Sequence, residues 1–294
     1  MPHRLAFTPT LALAPRWEAL QAGLLALGSD GGLVMVAFSG GTDSAFLAWA
    51  ARTVLGRDGV EAVTADSPSL ATGELEHCRS LAAECDVRWR RVVTDELANP
   101  LYVANAGDRC YWCKAELMDV MAPAAIANRA VIVLGVNLDD LGEHRPGQTA
   151  AAERGARFPL VDAGLTKADV RALSHEAGLR TWDRPAAACL SSRLPYGTPV
   201  TLRRLSMVDR AEAALRLLGL PQLRVRHYED TARIEVPTSD FEALLARRGE
   251  VVDAIKHVGY RYVTLDLEGF RSGNLNQALG PLGSDARGQA VYQP

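Results

Sequence analysis

The chain lacks any long apolar run. Nothing in its 294 residues approaches the roughly 18–20 consecutive apolar residues that a helical bilayer span requires. The opening MPHRLAFTPTLALAPRWEAL is only mildly apolar and is broken by Pro9 and Pro15, so it makes a poor signal peptide. The expected location is therefore cytoplasmic, where thiols stay reduced. Cysteine is scarce and odd in number, five in all, which argues against a disulfide framework. No Lys/Arg-rich run appears, and the formal net charge is −3. That removes any global electrostatic case for a nucleic-acid partner, although a local basic groove would escape such a test. Internal repeats and low-complexity linkers are also missing. The remaining composition, 48% hydrophobic and 23% charged, is that of an ordinary soluble globular protein long enough for two domains.

Residues 17–27 read as an opening helix. Residues 33–38, an apolar run ending in two glycines, read as a buried strand feeding a tight turn. TDSAFLAWAARTVLG is helical and stops at Gly56. A strand at 60–64, a helix in SLATGELEHCRSLAAECD and a strand in RWRRVVT follow. A polar loop then holds DRCYWCK, and helix begins again only at its end, in CKAELMDVMAPAAIANR. AVIVLGVN is the strongest strand signal. Alternating strands and helices imply an α/β domain with a parallel sheet covered on both faces. Thr166 and Asp169 predict a capping box for the helix in TKADVRALSHEAGL, with Gly178 as its stop. Beyond residue 199 the order becomes helix, hairpin (LRVRHYEDTARIEV), helix and strand, which suits a smaller α+β domain. The division expected is 1–199 and 200–294. The last residues, GSDARGQAVYQP, are expected to be loosely ordered.

The most informative turn is SGGTDS. Gly40 and Gly41 allow a tight turn free of Cβ atoms. Their amides and those of the following helix gather at one point, where the helix dipole adds about half a positive charge. Ser39, Thr42 and Ser44 add hydroxyls. The result is a phosphate cradle without a lysine, distinct from the Walker loop and from the dinucleotide fingerprint. A glycine-rich turn with a serine cap would give part of this pattern. The full hexapeptide resembles the PP-loop, SGGxDS, of ATP pyrophosphatases, which split ATP into AMP and pyrophosphate. That resemblance implies that the loop holds the β,γ-diphosphate and that Asp43 helps to position Mg²⁺ or the nucleotide.

Cys110 and Cys113 form a CxxC, and Cys189 in WDRPAAACLSSRLPYG is a third candidate partner. Cys78 and Cys85 read as small buried hydrophobes. The CxxC lies among Asp108, Arg109 and Lys114, and nearby cations are expected to lower its thiol pKa values. Redox pair, half of a zinc site, iron–sulfur ligands and buried thiols all remain open on spacing alone. Zinc would want four ligands and no second CxxC exists. Three thiolates suit a [4Fe–4S] cluster with one iron open, though four is the usual number. The string GVNLDDLGEHRPG follows the best strand at its carboxyl end, where open parallel sheets bind ligands. It offers Asn137, Asp139, Asp140, Glu143 and Arg145. The later strings supply Arg224, Arg226, Glu235 and Arg271. Alternation puts Arg224 and Arg226 on one strand face as a phosphate clamp, although a solvated face gives the same pattern.

Together, SGGTDS, DRCYWCK, GVNLDDLGEHRPG, PAAACLSSRLPYG, LRVRHYEDTARIEV and LDLEGFRSG resemble the LarE family in order and spacing over roughly residues 17–277. These are ATP-dependent sulfur transferases of nickel-pincer nucleotide biosynthesis. The resemblance implies that the carboxylates of a pyridinium dicarboxylate mononucleotide are adenylated and converted to thiocarboxylates. Sulfur comes in one type from the cysteine here numbered 189, which is consumed. In the other type it comes from a sulfide on a [4Fe–4S] cluster held by three cysteines, here Cys110, Cys113 and Cys189. The chain resembles the cluster type. By the same resemblance Ser39, Gly40, Gly41, Thr42, Asp43 and Ser44 bind ATP with Mg²⁺. Trp112 and Glu143 line the site, and Glu143 joins the three cysteines as catalytic. Arg193, Glu212, Arg224, Arg226 and Arg271 hold the small-molecule nucleotide substrate, and the resemblance implies a C-terminal domain that carries the contacts of a homo-oligomer, a hexamer built as a trimer of dimers.

Three rival classes differ in what they require. A tRNA thiolase shares the PP-loop and the cysteine set but needs a basic RNA surface. An amide-forming ligase of the NAD-synthetase kind leaves three cysteines without a role. A non-enzymatic redox-sensing nucleotide-binding module would release no pyrophosphate.

Overall fold

The computed structural model describes residues 7–29, 31–142, 145–185 and 188–271. Helix α1 (Ala14–Leu27) leads into strand β1 (Val34–Ala37), helix α2 (Thr42–Leu55), β2 (Val60–Asp66), α3 (Glu74–Glu84) and β3 (Arg88–Val93). Short α4 (Pro100–Val103) and long α5 (Arg109–Ala127) precede β4 (Val131–Leu134). Helices α6 (Pro146–Glu153), α7 (Pro159–Asp162) and α8 (Lys167–Glu176) follow. The four strands form one parallel sheet in the order β3-β2-β1-β4.

Alternation along β1 explains both faces of this sheet. Val34 and Val36 pack into a core shared with α1, α2, α3 and α8. Met35 and Ala37 point the other way, into a core with Leu117, Met118 and Met121 of α5 and Ala151 of α6. The expected α/β architecture with a parallel sheet covered on both sides is present.

Beyond it lie α9 (Leu202–Leu217), the hairpin β5 (Arg224–Tyr228) and β6 (Thr231–Glu235), α10 (Phe241–Ala246), α11 (Arg248–Val258) and β7 (Tyr262–Leu265). β5 and β6 pair antiparallel, as the hairpin pattern predicts, while β7 joins β6 in parallel. This three-stranded sheet has its own core of Leu215, Val225, Ile234 and Ile255. A smaller cluster, in which Tyr102, Leu190 and Leu194 meet Val200, Leu205 and Val208, joins α9 to the first sheet's loops.

Local signals place several boundaries well. Thr166 and Asp169 make the reciprocal capping box, and Gly178 follows with φ of 72°. Gly56 closes α2 at φ of 80°. Three readings need correction. Helix α3 starts at Glu74, five residues later than its string suggests, because Gly73 sits in the left-handed region. The single helix expected over 240–260 is two, α10 and α11. The CxxC is not in a loop: α5 starts at Arg109, so Cys110 and Trp112 occupy its first turn and Cys113 begins the second. The expectation for residues 283–294 lies outside the described residues.

Candidate active site

The carboxyl ends of β1, β2 and β3 open onto a cavity of about 450 Å³. Ser39 lines it after β1, Ser67 and Ser69 after β2, and Thr94 and Glu96 after β3. Cys113 and Lys114 reach it from α5, and Arg184, Cys189 and Arg193 from the segment before α9. Arg216, Arg224 and Phe270 close the far side. Five cations and two carboxylates, Glu74 and Glu96, border this space, although the whole chain is net negative. The cavity is thus a local basic pocket suited to anions.

The SGGTDS turn forms as its composition predicts. Gly40 has φ of 70°. The Ser44 hydroxyl donates to the Gly41 carbonyl (3.1 Å) and accepts from the Ser39 amide (3.3 Å). Thr42 donates to the Thr181 carbonyl (2.7 Å). Gly135, just after β4, packs so closely on the α2 N-terminus that a Cβ there would lie 2.8 Å from backbone atoms of Asp43 and Ser44. Asp43 Oδ1 is buried and has no hydrogen-bond partner among the described residues. Burial, and next the charge of Asp140, push the Asp43 carboxyl up. An orphaned acceptor oxygen beside a second carboxylate fits a hard divalent cation. Asn137 caps its own turn, accepting from the Asp139 amide (3.0 Å), and Asp140 pairs with Arg145 (2.8 Å). Glu143 lies outside the described residues.

Cys189 sits in a segment fixed on two sides. The Leu190 amide donates to the Ser69 carbonyl (2.8 Å). Arg193 donates to the carbonyls of Ala188 (2.7 Å) and Cys189 (3.1 Å). Its other edge is held by both oxygens of Glu212 at 2.8 and 3.1 Å. Glu212, fully buried, also accepts from Arg216 and from the Val225 amide. Arg193 and Glu212 therefore hold the Cys189 segment onto α9 and β5.

The three thiols are neighbours. Cys113 and Cys189 line the same cavity, and Cys110 lies one turn before Cys113 on α5. The Cys113 thiol reaches Glu96 at 4.0 Å. Burial pushes it up to about 12, and the Glu96 carboxylate and then Cys189 add to the effect. Cys110, although exposed at the α5 surface, is raised also, by the protein packed around it first and by Cys189 next, against Arg109. The expected lowering by nearby cations is thus reversed, because desolvation by the surrounding protein outweighs the charges of Arg109 and Lys114. Cys78 and Cys85 are buried thiols raised to about 11 and about 12, chiefly by desolvation. Among the described residues no three His, Cys, Asp or Glu side chains are grouped as ligands of one ion. A cluster in which each cysteine holds a different iron needs thiols spaced around it, and an all-thiol donor set has the right chemistry.

The expected arginine clamp divides. Arg226 is held by Glu235 and by the Ser192 carbonyl (2.7 Å) and does not line the cavity. Arg224 does line it, stacked 4.5 Å from the Phe270 ring centroid and donating to the Arg271 carbonyl (3.3 Å). Burial, then the charges of Arg193 and Arg226, lower Arg224 to about 10. The Arg271 side chain pairs with Glu268. Trp112 turns to Asp108 (3.0 Å) and packs edge-on against Tyr111, outside the cavity lining. Sequence reasoning missed Ser67, Ser69, Glu96 and Arg184. The first three lie just after β2 and β3, so the strand-end rule that selected 135–147 would have found them.

A parallel sheet with a lysine-free SGGTDS turn at the end of its first strand defines an α/β domain of the PP-loop ATP pyrophosphatase kind. No model of a known protein family matches the chain. It is 40% identical over 260 residues to the pyridinium-3,5-bisthiocarboxylic acid mononucleotide synthase of Lactiplantibacillus plantarum, covering 88% of this chain and 94% of that protein. It is also 46% identical over 248 residues to an uncharacterized protein of Synechocystis sp., covering 83% of this chain and 92% of the relative. An uncharacterized protein of Methanocaldococcus jannaschii is 26% identical over 242 residues, covering 81% and 91%. The chain belongs to the LarE family.

Proposed function

We propose that this protein is an ATP-dependent sulfur transferase. It adenylates the carboxylates of a pyridinium-3,5-dicarboxylate mononucleotide, releases pyrophosphate and converts them to thiocarboxylates. The observation that carries this reading is one cavity that Ser39 of the SGGTDS turn, the Cys113 and Cys189 thiols and five cations line together. The 40% identity to a synthase of the bisthiocarboxylate supports it.

In this reading Ser39, Gly40, Gly41, Thr42 and Ser44 hold the β,γ-diphosphate through amides and hydroxyls. Asp43 would hold Mg²⁺, which supplies charge neutralisation at the leaving group. A substrate carboxylate oxygen attacks the α-phosphorus and the P–O bond to pyrophosphate breaks. Arg224 offers the buried guanidinium that binds substrate phosphate or carboxylate. Arg193 and Glu212 position the Cys189 segment, and Arg226 with Glu235 braces β5 behind it. The C-terminal part, 200–294, is the substrate-binding and oligomerisation domain of a cytoplasmic homo-oligomer.

For the sulfur source, Cys110, Cys113 and Cys189 would hold a [4Fe–4S] cluster. When bound, it supplies a sulfide on the iron that no cysteine ligates. The nearness of all three thiols favours this over consumption of Cys189 alone. Anaerobic purification with iron and sulfide analysis and an absorption spectrum at about 400 nm tests the cluster. Thiolation followed by whole-protein mass spectrometry tests the alternative. Unchanged mass over repeated turnovers is expected. A loss of about 34 Da, H₂S from cysteine, identifies Cys189 as the consumed donor and overturns the cluster.

A further inference from the structure

The peptide joining Gly40 to Gly41 is gripped from outside the turn by two side chains. The Gly40 carbonyl accepts from Arg184 Nη1 at 2.8 Å and from His77 Nε2 at 3.1 Å. A carbonyl can only accept, so this contact makes His77 the Nε2–H tautomer. Arg184 is in turn clamped by Glu74, whose two oxygens lie 2.8 and 2.9 Å from Nη2. Glu74 and His77 come from the first turn of α3, and Arg184 precedes Cys189 in the same cavity-lining segment. Glu74 and Arg184 border the cavity, but the proposed reaction gives no task in it to them or to His77.

A phosphate cradle works only if its amides face the ligand. A trans peptide sends its N–H and C=O in opposite directions. With the Gly40 oxygen tied toward α3 and Arg184, the Gly41 N–H faces the other way. Gly-Gly is the dipeptide most free to turn over, because neither residue has a Cβ. Turned over, it would present a carbonyl oxygen to an anion. Burial lowers His77's pKa first, and Arg184 also opposes its protonation, while the Gly40 bond and Glu74 favour it. Neutral or charged, its Nε2–H still donates.

We propose that Arg184 and His77, braced by Glu74, are positioning residues that lock the Gly40–Gly41 peptide carbonyl-outward and so preset the turn for a diphosphate. The inference rests on the ATP reading above. Arg184 gives the lysine-free turn a cation that orients it from behind rather than from within. The tie also links the turn to the segment that carries Cys189.

The test is calorimetric binding of inorganic pyrophosphate and of ATP to wild type, Arg184→Met, Arg184→Lys, His77→Ala, His77→Gln and the Arg184→Met/His77→Ala double variant. The double variant is expected to weaken both ligands about 10-fold or more, of the order of one charge-assisted hydrogen bond. The conservative Arg184→Lys and His77→Gln, which keep a donor, are expected to retain most of the wild-type affinity. KM for ATP rises in the double variant, while KM for the pyridinium substrate stays as in wild type. Pyrophosphate binding by the double variant within about 2-fold of wild type overturns the lock, since less than one hydrogen bond would then be at stake. If the double variant does not fold, Arg184→Met alone is judged by the same limits. Wild type that binds neither ligand overturns the ATP reading itself, a distinct result.

Discussion

Arg226 grips Glu235 across the β5–β6 hairpin, Nε to Oε1 at 3.0 Å and Nη2 to Oε2 at 2.8 Å, with both side chains essentially withdrawn from solvent. The two are diagonal neighbours: Glu235 stands directly opposite Arg224 in the register. Arg233 adds a second cation to Glu235 at 3.3 Å. Breaking this pair strands a buried charge. Arg226→Ala is expected to destabilise the fold by about 3–5 kcal/mol, checked by urea denaturation. The conservative Glu235→Gln is expected to cost less.

Arg224 differs because it makes no carboxylate pair among the described residues. Arg224→Ala is expected to cost less than Arg226→Ala, about 1–2 kcal/mol for the lost stacking on Phe270. Under the proposed function its effect is expected to fall on the substrate, loss of one charge-assisted contact raising KM about 10–100-fold. Steady-state kinetics with the pyridinium mononucleotide at saturating ATP checks this. An Arg224 variant that unfolds while substrate affinity holds would reverse the assignment.

Gly135 tests the packing that supports the SGGTDS turn. Its Cβ would meet backbone of Asp43 and Ser44, which has no rotamer with which to move aside. Gly135→Ala is expected to cost about 1–3 kcal/mol and to weaken ATP binding, measured together by thermal melts with and without nucleotide. Gly23→Ala, at a position with open space around it, is the control.

His227 predicts a pH dependence of stability. It is buried, with Nδ1 on the Tyr260 hydroxyl at 3.1 Å and Nε2 without a partner among the described residues. Burial first, then Arg204, lowers its pKa below the ordinary 6.5, with Glu229 opposing. The unfolded chain therefore binds the proton at a pH where the folded one does not. The contribution is fully present above about pH 6.5 and is lost as pH falls through the lower folded pKa. The urea midpoint is expected to fall from about pH 7.5 to 5.5, and His227→Gln to flatten that part of the fall.

Much of the fold is legible because its signals are local. The apolar run before SGGTDS, the capping box at Thr166 and Asp169, and the hairpin in LRVRHYEDTARIEV each lie within a few residues of the feature they specify. The CxxC reads as loop because Asp108, Arg109 and Lys114 look solvent-facing in sequence. In the fold Arg109 is buried, donating to Asn105 and to the Ser191 carbonyl, and that contact begins α5 at Arg109. The parallel pairing of β7 with β6 depends on α10 and α11 crossing over between them, which no local pattern encodes.

The glycine-rich strand–helix turn and the alternating α/β order were legible in the chain alone, because residue type and short spacing suffice for each. Which charges are free to act depends on packing between distant segments. Alternation gives Arg224 and Arg226 the same face, yet a carboxylate from the next strand neutralises one and leaves the other to the cavity. The tertiary structure likewise brought Arg184 and His77 to one carbonyl and Cys189 beside the CxxC. Those meetings join distant parts of the chain, and only packing of the finished sheets brings them within hydrogen-bond or electrostatic reach.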